Sequence, residues 1–241
     1  MTVSDKAFLG IDILSQPTDS TCGPTCLQAV YQYYDDFVDL SGLIGQVKQL
    51  KSGGTLAVNL GNHALKRGYQ ATIYTYNLHL FDPSWFDDPS TDLIQKLTLQ
   101  SEYKVQRKIK YASNAYIKFL KMGGKIKFQD LTPALIKTYL QERRPVLTGL
   151  SATYLYGSKR EIGEFETEYD DVRGIPVGHF VILDGYDEQT GQIDIADPLK
   201  NNPTNRGHHY QVDFSRLINA IMLGIVTYDS NLLIIEPRTK Q

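Results

Sequence analysis

Cysteine is nearly absent from this chain, with two residues in 241. That count excludes a disulfide-stapled scaffold, and with only five histidines few combinations can build a metal or thiol site. A strong charge of either sign is missing too. Lys plus Arg number 25 against 27 for Asp plus Glu, a formal net charge of −2. No overall field is therefore available to hold a polyanion or an anionic membrane surface, and nucleic-acid binding is disfavoured as a primary role. No apolar run approaches the roughly 18 residues of a membrane span. The opening MTVSDKAFLGIDIL has no basic-then-apolar signal pattern, and neither repeats nor low-complexity tracts occur. These absences predict a cytoplasmic protein with reduced thiols. What is present is ordinary globular usage, 41% apolar and 22% charged, on a chain long enough to bury a core.

The pattern of apolar residues divides the chain into thirds. After a short strand over Phe8 to Leu14, the segment STCGPTCLQAVYQYY reads as a helix. Pro24 suits its first turn, and Leu27, Val30, Tyr31 and Tyr34 share a face. Helices are also expected over Leu43 to Leu50 and Leu56 to Lys66, the second closed by Gly68, so the first third reads as mostly helical. The middle, residues 79–124, reads as a helical insertion, with one long helix from Thr91 to Met122 stopped by Gly123 and Gly124. Its end is basic. Lys104, Arg107, Lys108, Lys110, Lys118, Lys121, Lys125 and Lys127 carry no acidic residue among them, a solvated face or a docking surface for an acidic partner. The last third is β-rich, with strands at Pro145 to Ser151, His179 to Tyr186, Gln192 to Ala196, Tyr210 to Phe214 and Asn231 to Ile235. An acidic loop, Glu161 to Asp171, precedes His179 where a cover for a site would lie. A helical half followed by a β half, without βαβ alternation, predicts a single α+β domain over residues 1–241.

Within this frame Cys22 stands where the first helix begins, and the amides and partial positive charge of a helix N-terminus favour a thiolate there. A thiolate nucleophile needs a base, best supplied by histidine. His179 opens the apolar strand HFVILDGY, where a titratable residue requires a reason. That strand and QIDIADP flank the turn DEQTG. Paired residue numbers in such a hairpin sum to about 376–378, which sets Asp197 opposite His179 or on its near diagonal. Asp197 is then placed to orient the imidazole, whereas Asp184, five residues along the same strand, points to the other face. The oxyanion formed by thiolate attack on a carbonyl needs donors, and the Cys22 amide and the Gln16 side chain, six residues upstream, are the candidates.

The segment QPTDSTCGPTCLQAVYQYY, followed by GHFVILDGYD and IADP, resembles the bacteriocin-processing, double-glycine-leader cysteine peptidases of the papain-like group. The stand-alone bacterial relatives are the better likeness. The resemblance implies a papain-like fold, with a helical N-terminal half packed on an antiparallel sheet. It also implies Cys22 as nucleophile, His179 as base, Asp197 as orienting acid and Gln16 as oxyanion donor. A peptide or protein substrate and no cofactor go with it. Two other readings stay open, an acyltransferase working through the same thioester and a catalytically silent peptide-binding module.

Other residues carry less. Cys26, one turn after Cys22, reads as a small core residue. Cys22, Cys26, His208 and His209 suggest zinc, but adjacent histidines lack the usual separation of a zinc site, and no metal is expected. Tyr154 and Tyr156 belong either to packing or to the cleft.

Overall fold

A computed structural model describes residues 5–50, 53–162 and 168–238. The helices are α1 (Cys22–Tyr33), α2 (Leu40–Gln46), α3 (Ala57–Lys66), α4 (Leu93–Tyr103), α5 (Arg107–Lys121), α6 (Pro133–Gln141), α7 (Ala152–Tyr156) and α8 (Phe214–Leu223). The strands are β1 (Lys6–Phe8), β2 (Gln70–Thr75), β3 (Lys125–Lys127), β4 (Val146–Ser151), β5 (Glu161–Ile162), β6 (Glu168–Tyr169), β7 (Gly178–Asp187), β8 (Gln192–Ala196), β9 (His209–Asp213) and β10 (Asn231–Glu236). The main sheet runs β3-β2-β10-β4-β7-β8-β9, with β1 on the far end of β7, and every pairing is antiparallel except β2 with β3. β5 and β6 form a separate two-stranded ribbon. The class is α+β, and the helical-half-plus-sheet arrangement is present.

The sheet positions the chemistry. α1 is buried from Cys22 through Tyr31 and packs on β7 and α3. Its close approach depends on Gly23, where a Cβ would meet Thr55 Cγ2 at 2.6 Å and Leu60 and Phe180 at 3.3 Å. Leu27 and Val30 are fully buried, each worth roughly 1.5–3 kcal/mol of apolar burial. The end of β4, the start of β7, the end of β8 and the turn before β10 meet at one end of the sheet's central strands.

Several sequence expectations are corrected. The strand over Phe8 to Leu14 ends at Phe8; beyond it the chain continues irregularly, burying Leu9, Ile11 and Ile13 in alternation. α2 begins earlier than Leu43 because Asp39 caps it, accepting from Gly42 N at 2.8 Å. The first third is not simply helical, since β2 lies inside the sheet between β10 and β3. The long middle helix is two. Lys104 and Gln106 take extended backbone angles, and α4 and α5 pack against each other, which buries Leu97 with Ile109, Ala112 and Tyr116. A single straight helix would have left part of that apolar surface in water. Among the described residues no helix is long and apolar enough to cross a membrane.

Candidate active site

α1 starts with residues that leave its N-terminus open. Pro24 has no N–H, and the Thr25 N–H is the first to bond, to Thr21 O at 3.1 Å. The Cys22 and Gly23 amides precede that bond at the positive end of the helix. Cys22 is 7% exposed and lies beside the His179 imidazole, close enough to raise the imidazole's pKa. Cys26 is fully buried, its Sγ donates to Phe180 O at 3.3 Å, and burial pushes its thiol up, so it sits in the core as expected. Both cysteines are free.

His179 is brought to Asp197 by the β7–β8 hairpin. The register Ile182 to Ala196 and Leu183 to Ile195 lies at the upper end of the expected range, and a bulge follows at Asp184. That register makes Asp197 the diagonal neighbour of His179, whose Nε2 donates to Asp197 Oδ1 at 2.8 Å. Asp197 is fully buried and accepts three more bonds: to Oδ1 from Leu199 N at 2.8 Å, and to Oδ2 from the hydroxyls of Tyr156 at 2.8 Å and Tyr210 at 2.6 Å. Burial opposes its charge, but the His179 charge and these donors outweigh it and hold the carboxyl below the ordinary range. Burial likewise opposes charge on His179, yet Asp197 and the Cys22 contact push its pKa up to about 10. Burial and the Asp197 charge push both phenols up, so they remain protonated donors. Asp184 faces elsewhere, accepting from Ile11 N at 2.9 Å.

Gln16 is fastened to the same corner, its N–H donating to Pro198 O at 2.9 Å. The neighbouring Ser15 hydroxyl contacts His208 Nε2 at 3.1 Å, and His208 Nδ1 bonds Asp197 O at 2.6 Å. The Gln16 amide donates one hydrogen to Thr18 O at 3.1 Å, within the loop leading to Cys22, and carries a second. His179 and Asp197 are thus joined by a hydrogen bond, with Cys22 beside the imidazole. Gln16 joins them through the backbone of its loop.

The chain belongs to the peptidase C39-like family: its family model matches residues 8–220. Membership of the C39-like family supports a cysteine peptidase, a hydrolase. A search of curated proteins finds no match. Among solved structures, the chain is similar to a C39-like peptidase from Bacillus anthracis at 17% identity and TM-score 0.49, covering 98% of this chain and 100% of that one. It is similar to a double glycine motif protease from an AMS/PCAT transporter, in complex with the leader peptide, at 14% and 0.46, covering 96% and 95%. It is also similar to xylellain, a cysteine protease from Xylella fastidiosa, at 14% and 0.47, covering 99% and 88%.

Sequence reasoning missed several neighbours of this C39-like site. Tyr210 follows from the β8–β9 register, which pairs it with Ile195 and so sets it on the face of Asp197. Asp229 has no motif. It lies in the turn before β10, where Tyr228 and Ser230 both take positive φ, 70° and 68°, and its carboxylate accepts from the Thr227 hydroxyl at 2.8 Å. It is so close to the start of β7 that a Cβ at Gly178 would fall 2.1 Å from Asp229 Oδ2. Burial pushes its carboxyl up to about 7, against the Thr227 bond and the charges of Lys108 and His179.

Part of the basic segment turns inward to the same turn. Lys108 is half-buried, donates to Thr227 O at 3.4 Å and lies 4.1 Å from the centre of the Tyr228 ring. Of the acidic loop, Glu161 lies within electrostatic reach of Asp19 and His179, while Glu164 and Glu166 fall outside the described residues. The four residues that suggested zinc do not converge. His208 bonds the Ser15 and Asp197 corner, and His209 is 52% exposed, 3.9 Å from Asp184.

Proposed function

We propose that the protein hydrolyses a peptide or isopeptide bond through Cys22, His179 and Asp197, within one papain-like domain that carries 79–124 as a helical insertion. The observation that supports this most is the orientation of His179. Its Nε2 is engaged by Asp197 at 2.8 Å, which leaves Nδ1 as the nitrogen for Cys22. A ring held by Asp197, with its pKa pushed up to about 10, remains an imidazolium at neutral pH and keeps a proton ready for a leaving amine.

In the proposed reaction the Cys22 thiolate attacks the scissile carbonyl carbon. The oxygen becomes an oxyanion that accepts from the Cys22 amide and the Gln16 side-chain amide. Collapse breaks the C–N bond, His179 gives its proton to the departing amine, and a thioester remains on Cys22. Water then attacks the thioester, losing a proton to His179 as the acid product leaves and Cys22 is regenerated. Asp197 keeps the imidazole in one orientation throughout.

The test combines an alkylating probe with product analysis on peptide substrates. Cys22→Ala should abolish both hydrolysis and labelling at position 22, while Cys26→Ala retains them. Unchanged hydrolysis by Cys22→Ala would discard the reading. Products carried on an added amine rather than water would replace hydrolase by transferase.

A further inference from the structure

Beside the start of β7, on the side of α7 and α8, lies an open cavity of about 470 Å³ that the proposed chemistry does not use. Its size falls in the roughly 300–1,000 Å³ range of ligand clefts. Pro176 lines it, and the chain runs from there through Val177 and Gly178 directly into His179. Val177 is fixed by its N–H on Thr153 Oγ1 at 3.1 Å and its C=O on Ala152 N at 3.0 Å. The wall of this cavity at Pro176 therefore lies three residues along the chain from His179.

The walls have two characters. Leu223 and Val226, 44% and 58% exposed, present apolar surface together with Pro176. Arg216, two turns before Leu223 on the same face of α8, lies over the Tyr154 ring, its guanidinium carbon 4.7 Å from the ring centre, and spends its Nε–H on Leu155 O at 3.2 Å. Gly157, at φ +67°, leaves the room the guanidinium occupies, since a Cβ there would fall 2.9 Å from an Arg216 terminal nitrogen. Among the described residues no carboxylate lies within 4.0 Å of Arg216, and the Ser158 hydroxyl in the same wall is buried without a hydrogen-bond partner. A guanidinium held rigid on an aromatic face, its terminal N–H groups unspent on any carboxylate, is built for a carboxylate.

We propose that this cavity is a specificity subsite for an acidic side chain of the peptide substrate. The carboxylate pairs with Arg216 and accepts from Ser158, and the stem lies along Pro176, Leu223 and Val226. The assignment deepens the peptidase reading and rests on it for the word substrate.

The experiment uses full-length Cys22→Ala, which binds without turnover, and pools of fluorescent peptides blocked by acetylation and amidation so that only side chains supply carboxylates. Each pool places Glu, Gln or Lys at one position. At one position, Glu should bind roughly ten- to a hundredfold more tightly than Gln. Arg216→Met should erase that preference, and Leu223→Asp, a change at an exposed rim position, should weaken Glu binding through like charge. Equal binding of Glu and Gln pools overturns the proposal, as does a preference that survives Arg216→Met in a protein whose melting temperature is unchanged. Failure of the peptidase reading shows separately, as wild-type protein that binds the Glu pools and cleaves none of them.

Discussion

Two buried aspartates flank the strand that carries His179, and they are held in opposite ways. Asp197, on the β8 side, accepts from His179, Tyr156, Tyr210 and the Leu199 amide. Asp229, on the β10 side, accepts from the Thr227 hydroxyl, with Lys108 near enough to matter electrostatically. Burial opposes ionisation of both. Donors and an adjacent cation bring Asp197 below the ordinary carboxylate range, while Asp229 is left near 7. The comparison teaches that depth in the protein does not decide the charge of a carboxylate. An adjacent cation and the hydrogen bonds the carboxylate receives do.

The sharpest way to break the contrast is Asp197→Asn. It keeps the shape but removes the charge that sustains the imidazolium, and the amide can turn an N–H toward His179. On the proposed mechanism kcat should fall by up to about 10⁴-fold, the loss known for such an acid in a catalytic triad. The pH dependence of Cys22 alkylation should move too. Without Asp197 the largest influence raising the His179 pKa is gone, so burial should bring it down from about 10. A variant with wild-type kcat and an unmoved alkylation profile would remove Asp197 from the mechanism.

Asp229→Asn tests the other half through stability. Below the unfolded-state pKa of about 3.9 this carboxyl is protonated in both states. As pH rises toward 7 the unfolded chain releases the proton and the folded protein keeps it, so stability declines across that window by up to about 4 kcal/mol and then levels. Asp197 slopes the other way: its lowered pKa contributes stability that is lost as pH falls through it. Urea unfolding between pH 4 and 8 should show the wild type losing stability relative to Asp229→Asn with rising pH. Parallel curves would mean that Asp229 is ionised throughout.

How much of this was readable beforehand differs by the kind of information involved. β8 and the register that brings Asp197 to His179 depend on one short turn, so local spacing sufficed. The body of α1 and the C-terminal end of α3 followed from apolar periodicity and a helix-stopping residue. β2 was missed because QATIYT earns its place in the sheet from pairing with β10, some 160 residues away, and not from a turn of its own. α8 had a readable apolar face, with Leu217, Ala220 and Ile221 buried, but lay in a region read only for strands. Asp229 was invisible for a stronger reason. Its surroundings are assembled from α5, the Gly178 corner and a turn with left-handed backbone at Tyr228 and Ser230, none of which announces an acid's environment in sequence.

The smallest expected effect sharpens the account of Asp197 itself. Tyr156 and Tyr210 both donate to Oδ2, while Oδ1 serves His179 and the Leu199 amide. Removing one phenol leaves Oδ2 with a donor, so Tyr210→Phe should cost about 1–2 kcal/mol of stability and a few-fold in kcat. Removing both leaves a buried carboxylate oxygen bare, and the double variant should lose more than the sum of the singles, as expected for donors sharing one acceptor. A thermal-unfolding double-mutant cycle reads this directly. Strict additivity would show that the two hydroxyls act on Asp197 independently.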